Sequence, residues 1–426
     1  MTKSLAPLRG MNDVLPDDSP WWQLLEDTAR GVFEAYGFRQ IRVPLLERTE
    51  LFRRSIGEVT DIVEKEMYTF DDRSGDSVTL RPEATAGIVR AGISNGLLHN
   101  QQQRLWCMGP MFRYERPQKG RYRQFHQLDV EALGYPGPDI DAEMILMSAR
   151  IWRELGLRMP SLEINSLGTP EARAAYREVL VDYFEARRGA LDEDSVRRLG
   201  SNPMRILDSK HPDMQAVIAE APLLTEHLDP ESATHFAALR GMLDAAGIEY
   251  RVNPRLVRGL DYYSRTVFEW LTDRLGAQGA VCSGGRYDGL VSQLGGRPTP
   301  AIGWAMGVER LVELLRLDRP ELSAAAADIY ILVGDEALVG EGMQLAEGLR
   351  DGLRGLRVQL HCGGGSLKAQ FRRADRSGAR WALVLGQSEL ERGEVTAKPL
   401  REAGDQLAVP REALLQWLRD RLASGH

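Results

Sequence analysis

Cysteine is scarce: Cys107, Cys282 and Cys362 stand far apart in 426 residues, with no Cys-x-x-Cys. That spacing argues against a disulfide framework and a cysteine zinc site, and it fits a reducing compartment. No apolar run reaches the roughly 18 residues that a membrane-spanning helix requires. The amino terminus shows no apolar signal-peptide core, so a cytoplasmic protein without membrane attachment is expected. Cations are not in excess either. The formal net charge of −7 argues against indiscriminate nucleic-acid binding, yet it permits an RNA partner wherever cations cluster. The commonest catalytic signatures are missing too: no Gly-x-x-x-x-Gly-Lys-Ser/Thr loop, no Gly-x-Ser-x-Gly elbow, no His-Glu-x-x-His helix. What is present is a soluble composition, 43% apolar and 27% charged, in a chain long enough for two or three domains.

Ser19-Pro20 can start a helix, and Trp21, Leu24, Leu25, Thr28, Val32, Phe33 and Tyr36 then trace a helical apolar stripe to Gly37. Phe38 to Val43 alternates as a strand before Pro44. This helix and strand suit either plain core or a subunit interface. Residues 79–131 read as strand, helix, strand and hairpin. From 170 to about 250 the chain turns helical and charged, which reads as an inserted helical subdomain. Strands resume at Tyr250–Asn253 and Thr266–Leu271, followed by a glycine-dense turn over Ser283–Gly289. Ala301–Gly307 then runs into an apolar helix, Val308–Leu317. Residues 318–327, with Pro320 and four alanines, look like a linker, although the alanines could extend a helix. Beyond them a β-α-β-α-β order predicts a small α/β domain, with strands at Ile329–Val333, Val358–His361 and Trp381–Leu385.

The densest chemistry lies between Phe112 and Glu131. Arg113 and Glu115 share one face if the segment is a strand, and Gln127, Asp129 and Glu131 repeat the alternation on the return. The loop between them carries Arg116, Lys119, Arg121 and Arg123 around Gly120. Such a hairpin can hold a polyphosphate, a base and a small polar molecule. Arg113, Arg258 and Arg310 each stand near glycine and carboxylate. Arginine offers phosphate a permanent charge and a bidentate fork. Three converging arginines would suit in-line displacement at a nucleotide phosphate, although any one alone reads more readily as a salt-bridge residue. His126 and His361 read as packing or hydrogen-bonding residues rather than general bases.

Phe112-Arg113-Tyr114-Glu115 with its loop and Phe125 resembles motif 2 of the class II aminoacyl-tRNA synthetases. Gly303-Trp304-Ala305-Met306-Gly307-Val308-Glu309-Arg310 resembles motif 3, and the strand Gly37–Pro44 after its helix resembles motif 1. Within that class, Leu256-Val257-Arg258-Gly259-Leu260-Asp261-Tyr262-Tyr263 is similar to the signature of the histidyl-tRNA synthetase family. Arg116 to Gln127 matches that family's motif 2 loop, and ordered matches begin at Arg9-Gly10-Met11-Asn12-Asp13.

The resemblance implies an α+β fold: the class II antiparallel sheet flanked by helices, a helical insertion and a C-terminal α/β anticodon-binding domain. The parts would be catalytic core at 1–169 and 250–320, insertion at 170–249 and anticodon domain at 326–426. It implies ATP-dependent activation of L-histidine to histidyl-adenylate and transfer to the 3′ end of tRNA(His). Mg²⁺ would accompany ATP, with its protein ligands unassigned, and the protein would be a homodimer joined through motif 1. Arg113 would hold the ATP α-phosphate, Arg310 the γ-phosphate and Arg121 a further phosphate contact. Phe125 would stack on adenine with Glu115 near its amino edge. Arg258 would reach the α-phosphate and the histidine carboxylate from the opposite side, making Arg258 and Arg113 the catalytic pair.

Glu83, Thr85 and Gln127 would bind the α-amino group. Glu131 and Tyr263 would read the imidazole nitrogens, with Tyr262 beside them and Tyr287 in the wall. Arg116 and Gln118 would meet the tRNA acceptor end. Gly363-Gly364-Gly365-Ser366, before a helix bearing Lys368, Arg372 and Arg373, suits either an RNA phosphate or a solvated basic face. One departure is visible: Ala84 stands where the family usually has glycine. The alternative reading is a noncatalytic, histidine-sensing paralogue that regulates histidine biosynthesis. Such paralogues usually lack the last domain and the phosphate-binding arginines.

Overall fold

A computed structural model describes residues 5–423 except 58–59, 61, 208, 210, 258–259, 261, 277–278, 321 and 323–324. Contacts divide the chain into two units, Met1–Leu15 with Ser19–Leu322, and Pro16–Asp18 with Ser323–His426. The first unit carries strands β1 (Arg39–Gln40), β2 (Leu46–Arg48), β3 (Tyr68–Asp71), β4 (Ser77–Leu80), β5 (Gln103–Phe112), β6 (Gln124–Leu133), β7 (Ser161–Ser166), β8 (Arg251–Val252), β9 (Ser264–Leu271), β10 (Ala280–Arg286) and β11 (Ala301–Gly307). Eight of them form one sheet in the order β1-β5-β6-β11-β10-β9-β7-β8, and β2, β4 and β3 form a small second sheet. The large sheet is antiparallel except at its margins, where β1 joins β5 and β8 joins β7 in parallel. The fold is α+β.

Strand alternation sorts the two faces of this sheet. Leu128, Val130 and Ala132 of β6 enter a core built by the helices Ser19–Ala35, Pro138–Glu154 and Val308–Asp318. The first of these buries Leu25, Ala29, Val32 and Phe33 and is closed by Gly37 at φ 73°, a conformation in which a Cβ is strained. Gln127, Asp129 and Glu131 point to the opposite face. There the helix Thr85–Ser94 and Tyr262, Tyr263 and Tyr287 pack in a second core. Residues 170–245 hold the helices Pro170–Glu185, Glu193–Ser201, Met214–Ala219 and Pro230–Ala245, the longest two opening on Pro170 and Pro230 behind the caps Thr169 and Asp229.

Three local expectations change. The strand read over Phe38–Val43 is only Arg39–Gln40, because just two residues register with Leu105 and Trp106. Ladder pairing of the hairpin stops at Phe112, so Arg113 and Glu115 are not strand residues. The Arg113 amide still donates to the Arg123 carbonyl at 2.9 Å, but the Tyr114 amide turns to Glu66. The glycine-dense stretch is no turn at first: Ser283 to Arg286 belong to β10. Its glycines serve close strand packing, since a Cβ at Gly284 would stand 2.6 Å from Trp304 Cα, and one at Gly285 3.0 Å from Val267 Cα.

The second unit has its own sheet, ordered β13 (Val358–Leu360), β12 (Ile329–Val333), β14 (Trp381–Leu385), β15 (Glu394–Pro399) and β16 (Leu407–Pro410). The first three are parallel, as expected from the β-α-β-α-β order. The sequence reading stopped at β14. Strands β15 and β16 continue the sheet antiparallel.

Candidate active site

The β5–β6 hairpin, β9, β10 and β11 enclose a cavity of about 370 Å³. Its floor exists because small residues lie where side chains would fill it: Gly303, Ala305 and Gly307 of β11 and Ala280 of β10 line it. The two ends of this cavity differ in charge.

At one end are arginines. Arg113, Arg121 and Arg310 all line the cavity. Arg113 Nε donates to the Pro82 carbonyl at 2.9 Å, and its guanidinium lies 5.2 Å from the Phe125 ring centroid. Arg310 Nε donates to the Gly120 carbonyl at 3.1 Å, and Nη1 to that of Ala280. Arg121 pairs with Glu115. Burial, then the charges of Arg121 and Arg113, hold the Arg310 pKa below the ordinary arginine value. Like charges gathered this closely are complementary to an anion. Glu269 of β9 and Glu309 are carboxylates that oppose this shift, and both line the cavity with Glu115.

At the other end are carboxyls. Glu83 is buried just before the helix Thr85–Ser94, and its Oε1 accepts from the Ala86 amide at 2.9 Å. Asp129 and Glu131 are each 1% exposed. Burial is the main cause that raises all three pKa values. Asp129 is pushed to about 8, with Glu83 raising it further and Arg81 and Arg113 opposing. Glu131 lies well above the ordinary carboxylate range, and Glu83 is raised as well.

Glu131 sits differently from its strand neighbours. Thr85 donates its hydroxyl hydrogen to Glu131 Oε1 at 2.6 Å, and Tyr287 donates to Oε2. Opposite Glu131 in the ladder stands Gly303. A Cβ there would fall 2.5 Å from Glu131 Cδ and 2.8 Å from the Val130 carbonyl oxygen. Tyr262 and Tyr263 line the cavity with ring centroids 4.7 Å apart, and Tyr262 meets Tyr287 edge-on at 5.5 Å.

Behind Tyr287, Arg286 and Asp141 are wholly buried and joined by Nε and Nη2 hydrogen bonds at 3.0 and 2.6 Å. Asp141 also meets His235 Nε2 at 2.7 Å. Two buried charges are tolerable when paired and fully hydrogen-bonded. Arg286 additionally donates to the Tyr135 and Gly137 carbonyls. This network anchors the strand end that presents Tyr287.

The cavity therefore gathers Glu83, Thr85, Arg113, Glu115, Arg121, Phe125, Gln127, Tyr262, Tyr263 and Arg310. Glu131 lies just beneath it through Thr85 and Tyr287, and Ala84 is fully buried beside Glu83. Arg258, Gly259 and Asp261 lie outside the described residues. Arg116 and Gln118 are exposed in the hairpin loop, where Gln118 and Arg121 exchange backbone hydrogen bonds at 3.0 and 2.9 Å. His126 is engaged by Glu309, through its amide and Nδ1, both at 2.9 Å. His361 meets the Tyr330 hydroxyl at 3.0 Å and the Gly364 carbonyl at 2.9 Å. Asp129, Glu269, Ser283 and Tyr122 also line the cavity, and none was assigned a role from the sequence. The alternation Gln127, Asp129, Glu131 was the available signal for Asp129.

The family profile described as histidyl-tRNA synthetase matches residues 10–311, and the one described as anticodon binding domain matches residues 328–421. A histidine–tRNA ligase of Halorhodospira halophila is 61% identical over 417 residues, covering 98% of each chain. Among solved structures, apo histidyl-tRNA synthetase of S. aureus superposes with a TM-score of 0.80 at 34% identity, over 97% of this chain and 99% of that one. The histidyl-tRNA synthetase of Nostoc sp. PCC 7120 shares the fold with a TM-score of 0.72 at 21% identity, over 98% and 100%.

Proposed function

The chain belongs to the histidyl-tRNA synthetase family, and from that premise we propose how its cavity divides the work. The reaction is ATP-dependent activation of L-histidine followed by transfer to tRNA(His). One observation carries the reading: a single cavity has converging arginines at one end and buried carboxyls with tyrosines at the other. Triphosphate fits the first, an imidazole amino acid the second.

Arg113 holds the α-phosphate, Arg310 the γ-phosphate and Arg121 a further phosphate oxygen. Phe125 stacks on adenine with Glu115 at its amino edge. Arg121 and Glu115 already pair, so ATP exchanges that ion pair for contacts of its own. Glu83, Thr85 and Gln127 take the α-ammonium, with Ala84 between them. Glu131 and Tyr263 read the imidazole nitrogens beside Tyr262, and Tyr287 fixes Glu131. A polar reader rejects apolar isosteres strongly, because they leave buried groups unpaired.

A histidine carboxylate oxygen then attacks the α-phosphorus, the bond to the bridging oxygen breaks and pyrophosphate leaves. Arg113 and, by resemblance, Arg258 hold the charge on the α-phosphate in flight. The tRNA ribose hydroxyl next attacks the acyl carbon and AMP leaves. Mg²⁺ enters with the ATP phosphates, which with water supply most of its ligands. Among the described residues no three His, Cys, Asp or Glu side chains form a metal cluster.

The reading extends to the rest of the chain. Core at 1–169 and 250–320, insertion at 170–249 near the acceptor stem and anticodon domain at 326–426 form the working parts. Arg116 and Gln118 meet the acceptor end. Two copies join through motif 1, the Gly37–Pro44 segment after its helix, and the pair works in the cytoplasm; Leu45, Leu46 and Phe70 lie exposed on and beside the small sheet that follows. Histidine-dependent exchange of labelled pyrophosphate into ATP tests the central claim. Histidine binding without exchange would restore the sensor reading, which the 61% identity to a histidine–tRNA ligase disfavours. Arg258→His should depress adenylation far more than histidine affinity.

A further inference from the structure

Three buried acceptor atoms at the carboxyl end have no hydrogen-bond partner among the described residues: Glu83 Oε2, Gln127 Oε1 and Asp129 Oδ2. All three side chains line the same cavity. Orphaned acceptors in a protein interior cost stability unless something completes them. An alkylammonium brings three N–H donors and a positive charge, which is one donor for each acceptor. Thr85, whose hydroxyl hydrogen goes to Glu131, keeps its oxygen lone pairs to accept beside them.

We infer that Asp129 is a further amino-acid-binding residue, its carboxylate accepting from the α-ammonium of histidine alongside Glu83 and Gln127. The inference rests on the histidine-activating reading above and adds a residue to it. Asp129 stands across the ladder from Cys107 on β5 and Ala305 on β11. The ionisable groups around it are Glu83, Arg81, Arg113, Cys107 and, on its own strand, Glu131. Cys107 is a neutral neighbour, its thiol pushed up to about 11 by burial and then by Asp129.

The arrangement has a chemical signature. With a pKa near 8 in the empty pocket, Asp129 is mostly protonated at neutral pH. An ammonium beside it favours the carboxylate, so binding must expel that proton. Titration calorimetry of the intact protein with L-histidine, in buffers of different ionisation enthalpy, counts it. At pH 7.5 the wild type should release part of a proton from this group. D129N should lose that share and bind histidine about 10- to 100-fold more weakly, the range for a lost charge-assisted hydrogen bond. A wild type that binds 3-(imidazol-4-yl)propionate, which lacks the α-ammonium, as tightly as histidine overturns the inference even where the variant does not fold. So does a folded D129N with unchanged proton count and affinity, as expected if Asp129 only balances Arg81 in the scaffold. Either failure would leave histidine-dependent pyrophosphate exchange intact, whereas failure of the functional reading would abolish the exchange.

Discussion

Gly303→Ala is the smallest change that tests the geometry of the amino-acid end. The added methyl would stand 2.5 Å from Glu131 Cδ and 2.8 Å from the Val130 carbonyl oxygen. A flexible side-chain tip could yield, but Val130 is backbone inside the ladder that pairs Gly303 with Glu131. Glu131 must therefore move, and it is held at both oxygens by Thr85 and Tyr287. Breaking two such hydrogen bonds to a buried carboxyl costs about 3–6 kcal/mol, at 1.5–3 each. On a unit of this size that lowers the melting temperature by on the order of 5–9 °C.

Histidine affinity should fall at least about tenfold if Glu131 reads the imidazole, since one lost hydrogen bond of this kind is worth 1.4 kcal/mol or more. The control lies on the same strand. Gly307 has an ordinary φ of −79°, and a Cβ there meets nothing nearer than Arg310 Cδ at 3.7 Å. Gly307→Ala should leave the melting temperature nearly unchanged. Thermal unfolding with histidine titration reads both variants. If Gly303→Ala melts with the wild type and binds histidine equally well, the account of Glu131 is wrong.

Asp141→Asn should destabilise the protein by about 1.5–3 kcal/mol at neutral pH, because it removes one of the two carboxylates that pair the buried Arg286 and leaves only Asp288. Asp141 has a folded pKa below its ordinary value. Its contribution is therefore present above the ordinary carboxylate pKa and lost as pH falls through the folded value, so denaturant melts at acidic pH should show a flattened acid limb in the variant. Arg310→Gln should raise the KM for ATP at least about tenfold in pyrophosphate exchange, the loss of one charged hydrogen bond or more, with histidine binding unchanged. Replacing Lys368, Arg372 and Arg373 by alanine should raise the KM for tRNA and reduce its salt dependence by about 2 in the log–log slope, at roughly 0.7 per phosphate contact. Adenylate formation without tRNA should not change.

Patterns confined to one segment were readable in the sequence. The stripe from Trp21 to Tyr36 forms its helix, and Ala301–Gly307 runs into the helix at Val308. Proline and glycine marked the insertion and the helix ends, because their effect on φ is local. Glycines required by a neighbouring strand were misread. Gly284 and Gly285 look like turn residues until Trp304 and Val267 are brought against them. β16 gives little periodic signal because it is a four-residue edge strand, Leu407–Pro410, whereas β15, Glu394–Pro399, lies inside the sheet and does alternate, burying Val395, Ala397 and Pro399.

The site divides along the same line. Spacing of two placed Gln127, Asp129 and Glu131 on one face, and the structure keeps them there, but their equivalence ends at that point. The partners that occupy Glu131 lie 46 and 156 residues away, and Gly303 opposite it is what makes room for the carboxyl. Asp129 faces Ala305 instead, has an open acceptor and lines the cavity. Three side chains of similar polarity on one strand thus acquire different work from what stands across the ladder. In this site the residue opposite a carboxyl determines its role as much as the carboxyl does, which is why a methyl added at Gly303 alone should displace Glu131 from Thr85 and Tyr287.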